Sequence, residues 1–99
     1  MANKLLEWSG PRVDDLAGIQ MICDEVRNEV EEWTGKTYVD YQAVKYINVK
    51  GFRYVVKVYC GEEDYIHLCL AQEPPCPGGK QMVHYVEQQR TKEDMLIAF

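Results

Sequence analysis

The sequence lacks both a long hydrophobic run and an excess of positive charge. Its 99 residues carry 11 basic and 16 acidic side chains, for a formal net charge of -5. Neither nucleic acid nor an anionic membrane surface is therefore an expected partner. No stretch approaches the roughly 18 consecutive apolar residues of a membrane helix. Residues 1–10 also lack the charged start and apolar core of a secretory signal, so we expect a cytoplasmic protein.

Cysteine is sparse, and no secretion signal accompanies it. The four cysteines are Cys23, Cys60, Cys69 and Cys76. They could pair as disulfides in an oxidising compartment, but free thiols are the simpler interpretation for a cytoplasmic chain. The sequence does not decide their redox state.

One helical pattern occupies the first third of the chain. Its apolar residues recur at intervals of three and four: Leu16, Ile19, Ile22, Cys23, Val26, Val30 and Trp33. This spacing predicts one long amphipathic helix. Asp14 and Asp15 suit its N-terminal end, and Gly35 suits the left-handed residue that ends it.

After Gly35 the period changes to two, which predicts strands at 37–47, 52–60, 64–72 and 80–89. Ile66, Leu68 and Leu70 share one face of the third strand, whereas His67 and Cys69 lie on the face that we expect to meet solvent. Short connections make neighbouring strands antiparallel. We therefore predict an α+β fold, in which one long helix lies across a four- to five-stranded antiparallel sheet.

These elements form a single expected domain over residues 1–99, in which residues 1–10 are a flexible N-terminal trunk. No cofactor is expected. His67 and His84 could lie opposite each other if the last two strands pair, with Cys69 nearby, but the ligand spacing of a zinc site is absent. No enzymatic activity is expected either, because no orienting carboxylate or glycine-rich turn accompanies Cys69 or Cys76.

Five separated segments of the chain follow one another in a recognisable order and spacing: Glu25-Val26-Arg27-Asn28-Glu29-Val30-Glu31-Glu32, Ala43-Val44, Tyr54-Val55-Val56-Lys57-Val58, Asp64-Tyr65-Ile66-His67-Leu68, and the ending from Lys92 to Phe99. These segments resemble the stefins, the small intracellular branch of the cystatin family. The resemblance implies a cystatin-like fold. It also implies reversible inhibition of papain-like cysteine proteases of the cathepsin class, by a wedge made of the N-terminal trunk and two hairpin loops.

The resemblance implies protease contacts at particular positions. Gly10 matches the trunk glycine, and Ile47, Asn48, Val49, Lys50 and Gly51 occupy the first loop, whose family pattern is Gln-x-Val-x-Gly. Pro74 and Pro75 stand in the second loop. Val49 and Gly51 match the pattern, whereas Ile47 replaces the glutamine.

The first hairpin is also two residues shorter than the family pattern, which lowers its tip by about 3 Å, the rise of one residue in each arm. Two hypotheses follow. The first is protease inhibition, and the second is a cystatin-fold interaction or scaffold protein whose inhibitory activity is weakened or lost. We expect a monomer, with a domain-swapped dimer as the alternative.

Overall fold

The computed structural model describes residues 11–49, 52–73 and 79–99. Its elements are the helices α1 (Leu16–Glu25) and α2 (Arg27–Thr34), followed by the strands β1 (Gln42–Val49), β2 (Arg53–Tyr59), β3 (Tyr65–Glu73) and β4 (Lys80–Arg90). The strands form one antiparallel sheet in the order β1-β2-β3-β4. An isolated antiparallel bridge joins Arg12 to Tyr46 on the outer edge of β1. The predicted α+β class is confirmed.

The prediction of one long helix is wrong, because the helix is interrupted at Val26. This residue has φ -101° and ψ 8° and separates α1 from α2. Its branched side chain has a lower helix propensity than straight-chain residues, and it is only 3% exposed, inside the core. The predicted apolar stripe is nevertheless confirmed at Ile19, Cys23 and Val30, which are buried with it. It is wrong at Trp33, which is 48% exposed. Gly35 ends α2 with φ 70°, as expected.

Side chains of α1 fasten the helix to the start of the sheet. The Gln20 amide nitrogen donates to the carbonyl oxygen of Tyr41 at 3.0 Å, and its amide oxygen accepts from the Ala43 N–H at 2.7 Å. The Tyr41 hydroxyl donates to the Cys23 carbonyl oxygen at 2.8 Å. These contacts hold the chain before Gln42 against the helix, so β1 begins later than the predicted residue 37. Local alternation cannot reveal this tertiary constraint.

The face of the sheet opposite the helices is covered by residues 91–99, which we call the outer strap. Leu96 packs in a buried cluster with Ile47, Val49, Val55 and Cys69. The strap is also held by polar contacts, because the Lys57 ammonium donates to the carbonyl oxygens of Lys92 and Asp94, both at 2.6 Å. The expectation that His67 and Cys69 face solvent is therefore wrong, since they are 1% and 7% exposed.

Candidate functional site

The first and third hairpins of the sheet, β1–β2 and β3–β4, turn at the same end, which we call the loop end. Strand β1 stops at Val49, which pairs with Arg53 at the start of β2. Strand β3 stops at Glu73, which pairs with Lys80 at the start of β4. The two hairpins are neighbours there, because the Gln72 N–H donates to the carbonyl oxygen of Phe52 at 2.8 Å. The strand ends that are joined by residues 50–52 and by residues 74–79 therefore lie side by side.

The N-terminal part of the described chain runs beside β1 at this end. The Arg12 N–H donates to the Tyr46 carbonyl oxygen at 2.7 Å, and the Tyr46 N–H donates back at 3.0 Å. Because this bridge is antiparallel, the N-terminal side of Arg12 faces the end at which β1 stops. The Arg12 guanidinium also lies 5.7 Å from the centre of the Tyr46 ring and pairs with Asp14 at 2.6 Å.

The predicted contact residues divide into two groups. Gly10, Lys50, Gly51, Pro74 and Pro75 lie outside the described residues. The other three, Ile47, Asn48 and Val49, are the last residues of β1.

The side chains of Ile47 and Val49 are 0% and 4% exposed, and they face the outer strap. Asn48 is half-buried on the opposite face, beside a cavity of about 380 Å³ that Arg12, Tyr46 and Tyr54 also line. The first-loop residues that the structure describes are thus built into the sheet. Their side chains fix the base of the loop.

The structure also places at the loop end residues that the sequence did not single out. A cavity of about 350 Å³ is lined there by Phe52, Arg53, Ala71, Gln72, Glu73, His84 and Phe99. The Arg53 guanidinium donates to the Phe99 carbonyl oxygen and lies 5.6 Å from the centre of its ring. The alternation of β2 puts Arg53 on the same face of the sheet as Val55, and this is the only sequence pattern that indicates its position. No local sequence pattern predicts that Phe99 lies beside it.

The two histidines do not form the predicted pair. His67 is opposite Glu87 on β4, and its Nδ1 lies 3.5 Å from a carboxylate oxygen of that residue. His84 lies in a register shift of β4, where its Nε2 is 3.6 Å from a carboxylate oxygen of Glu73. The two side chains do not meet because the register that starts at Glu73 and Lys80 brings His84 to the level of Cys69, two residues away from His67. Within 11–49, 52–73 and 79–99, no three ligand-type side chains are grouped as a metal site requires.

The described cysteines are unpaired and unreactive. Cys23, Cys60 and Cys69 are free thiols. Burial raises the thiol pKa of Cys23 and of Cys60 to about 12, and that of Cys69 to about 11. A thiol must ionise to act as a nucleophile, so none of these three groups is activated near neutral pH.

Among the described helices, none is long and apolar enough to cross a membrane.

Sequence comparison with known proteins places the chain in a family, although no protein-family model matches it. The chain is 31% identical over 83 residues to "Cystatin-B" of Oplegnathus fasciatus, covering 82% of the chain and 83% of that relative. It is 32% identical over 83 residues to "Cystatin-A1" and to "Leukocyte cysteine proteinase inhibitor 1", both of Sus scrofa. Each alignment covers 82% of the chain and 81% of the relative. The chain belongs to the stefin branch of the cystatin family.

Proposed function

We propose that this protein is a reversible inhibitor of papain-like cysteine proteases that docks its loop end into the active-site cleft. The observation that carries the proposal is the convergence at one end of the sheet. The strand ends that bound residues 50–52 and residues 74–79 lie side by side there, and the N-terminal side of Arg12 faces the same end. Three chain segments that lead to one edge of the sheet can enter a cleft together. One of the relatives is named as a cysteine proteinase inhibitor.

Within this proposal, protease contacts come from Gly10, from the first loop at Lys50 and Gly51, and from the second loop at Pro74 and Pro75. Asn48 lines the edge cavity beside Arg12. Ile47 and Val49 support the first loop without exposing their side chains, because these side chains pack against the outer strap and hold the base of the hairpin in one conformation. A rigid hairpin loses little conformational entropy on docking, which favours tight binding.

The mode of inhibition follows from the construction of the edge. Hairpin backbone and apolar side chains can cover a catalytic cysteine while presenting no peptide bond in the geometry of attack. Binding then comes from buried apolar area and backbone hydrogen bonds, as in other interfaces of this kind. We expect the inhibitor to leave the complex uncut and to be released on dilution.

The proposal extends to the cellular setting. Residues 1–99 act as one domain, residues 1–10 serve as the docking trunk, and the partners are cathepsin-class proteases in or released into the cytoplasm. We propose that the monomer is the inhibitory form. The free thiols of Cys23, Cys60 and Cys69 suit a reducing compartment.

Titration of active papain with the protein tests the proposal. We expect residual hydrolysis of a small substrate to fall as protein is added and to recover on dilution. Electrophoresis of the mixture should show the inhibitor chain intact. If papain keeps full activity at micromolar concentrations of correctly folded protein, the proposal is wrong. Capture of a non-protease partner with no such inhibition would instead favour the scaffold hypothesis.

A further inference from the structure

The outer strap covers the underside of the first hairpin, and a buried histidine lies beneath it. His67 on β3 is 1% exposed, and its Nε2 has no hydrogen-bond partner among the residues that the structure describes. It pairs across the sheet with Lys57 of β2, whose ammonium holds the strap through the carbonyl oxygens of Lys92 and Asp94. The residue that anchors the strap is therefore the neighbour of an unsatisfied imidazole.

We propose that the outer strap is an acid-released cover of the β1–β2 hairpin, in which protonation of His67 beside Lys57 opens the strap and uncovers Ile47 and Val49. The step moves one proton from solvent to an imidazole nitrogen and requires no other reactant. It places a second positive charge next to the anchoring ammonium, in a region shielded from water. Like charges at short distance in such a region repel strongly.

The surrounding charges set the balance of this switch. Lys57 on β2 and Arg90 on β4 disfavour a protonated His67, whereas Glu87 on β4 favours it. The strap contributes the Asp94 carboxylate, which also interacts with the imidazole. Burial and Lys57 prevail, and they lower the pKa of His67 below its usual value.

The sign of the pH effect follows from this difference. In the open strap His67 meets water and titrates near its ordinary pKa of about 6.5, whereas in the closed strap its pKa is lower. The open form thus binds the proton more readily, and acid favours opening. The opening equilibrium constant should be unchanged above about pH 7.5 and should rise by at most about tenfold between about pH 7.5 and pH 5.5.

Opening would affect the site through the apolar cluster. Leu96 packs on Ile47 and Val49, the residues that fix the base of the first loop. Its departure would expose the underside of the hairpin and loosen the loop end. This consequence for inhibition rests on the proposed function, but the opening itself does not.

Methyl NMR of the free protein tests the inference without any protease. Chemical-exchange saturation transfer on the Leu96 methyl groups measures the population of a strap-open state. We expect this population to rise several-fold on acidification from about pH 7.5 to about pH 5.5. A rise of less than about twofold, or no detectable open state at the lower pH, would overturn the proposal.

Three variants identify the sensor. His67→Gln should abolish the rise. His84 is the only other histidine of the chain, and the centre of its ring lies 5.4 Å from that of Phe99 in the strap. His84→Gln should retain the rise, and it tests whether the pH effect comes from this second contact. Glu87→Gln removes a carboxylate that favours protonated His67 and stays beside it whether the strap is closed or open, so it should move the rise to lower pH. This third variant keeps the test decisive if His67→Gln does not fold. A rise that survives in His67→Gln, disappears in His84→Gln or begins at the same pH in Glu87→Gln would contradict the assignment.

Discussion

Truncation of Leu96 measures how much the outer strap contributes to the fold. Leu96 is 4% exposed and packs in the cluster with Ile47 and Val49. Leu96→Ala removes three buried carbon atoms, each worth about 0.8 kcal/mol, or about 2.4 kcal/mol in total. The strap is a single segment outside the helices and strands and can settle into the space, so the residual cavity should add little. We expect a loss at the lower end of the usual range of about 2–5 kcal/mol.

Ile97 provides the matched control. It is the next residue along the strap, has the same number of side-chain carbons and is 73% exposed. Ile97→Ala should change the free energy of unfolding by less than about 0.5 kcal/mol. Urea unfolding, followed by far-ultraviolet circular dichroism, gives both values under the same conditions. Equal effects of the two variants, or no effect of Leu96→Ala, would refute the view that the strap is a packed layer.

Three further predictions concern the stability of particular sites, each measured by urea unfolding against the wild-type chain. Glu63 occupies the left-handed region at φ 59°, which glycine adopts at lower cost than glutamate. Glu63→Gly should therefore stabilise the protein by about 1 kcal/mol. A loss of stability would contradict a strained backbone at Glu63. Gly61→Ala should destabilise it by about 1–3 kcal/mol, because Gly61 has φ 89°, a conformation that alanine rarely adopts. Unchanged stability would count against a left-handed conformation at this turn. Ile47→Gln restores the residue of the family pattern but buries an amide in an apolar cluster. It should therefore lower the free energy of unfolding by about 1–3 kcal/mol. Unchanged stability would mean that the side chain at position 47 is accessible to water.

Much of the fold follows from local pattern. The stripe of Ile19, Cys23 and Val30 predicts the buried helical face, and the change of period after Gly35 predicts the strands. The chain order and short connections then predict the antiparallel sheet. These features depend on residues that are close together in the sequence, so the sequence alone predicts them.

The outer strap could not be predicted in the same way. Its anchor joins Lys57 to the carbonyl oxygens of Lys92 and Asp94, 35 and 37 residues further along the chain. A lysine within a strand normally indicates a solvent-facing position, so local alternation suggests an open face. Only the tertiary contact shows that backbone carbonyls satisfy this ammonium.

The candidate site was predicted in part. The resemblance identified Val49 and Gly51 as loop positions, and the paired strands put the described end of β1 at the loop end. The burial of Ile47 and Val49 was not foreseen, because it depends on Leu96 from the far end of the chain. The position of Phe99 beside Arg53 was missed for the same reason.

The central claim is that inhibition acts through the loop end, and the inhibition constant for papain of two bulky variants tests it most directly. Gly51→Trp places an indole in the first loop, whereas Glu62→Trp places the same group on an exposed turn between β2 and β3, at the opposite end of the sheet. Loss of contacts at the centre of an interface costs at least about 2 kcal/mol. Gly51→Trp should therefore weaken inhibition by about 30-fold or more, and Glu62→Trp should leave it unchanged. Equal inhibition by both variants, or a selective loss in Glu62→Trp, would contradict the account.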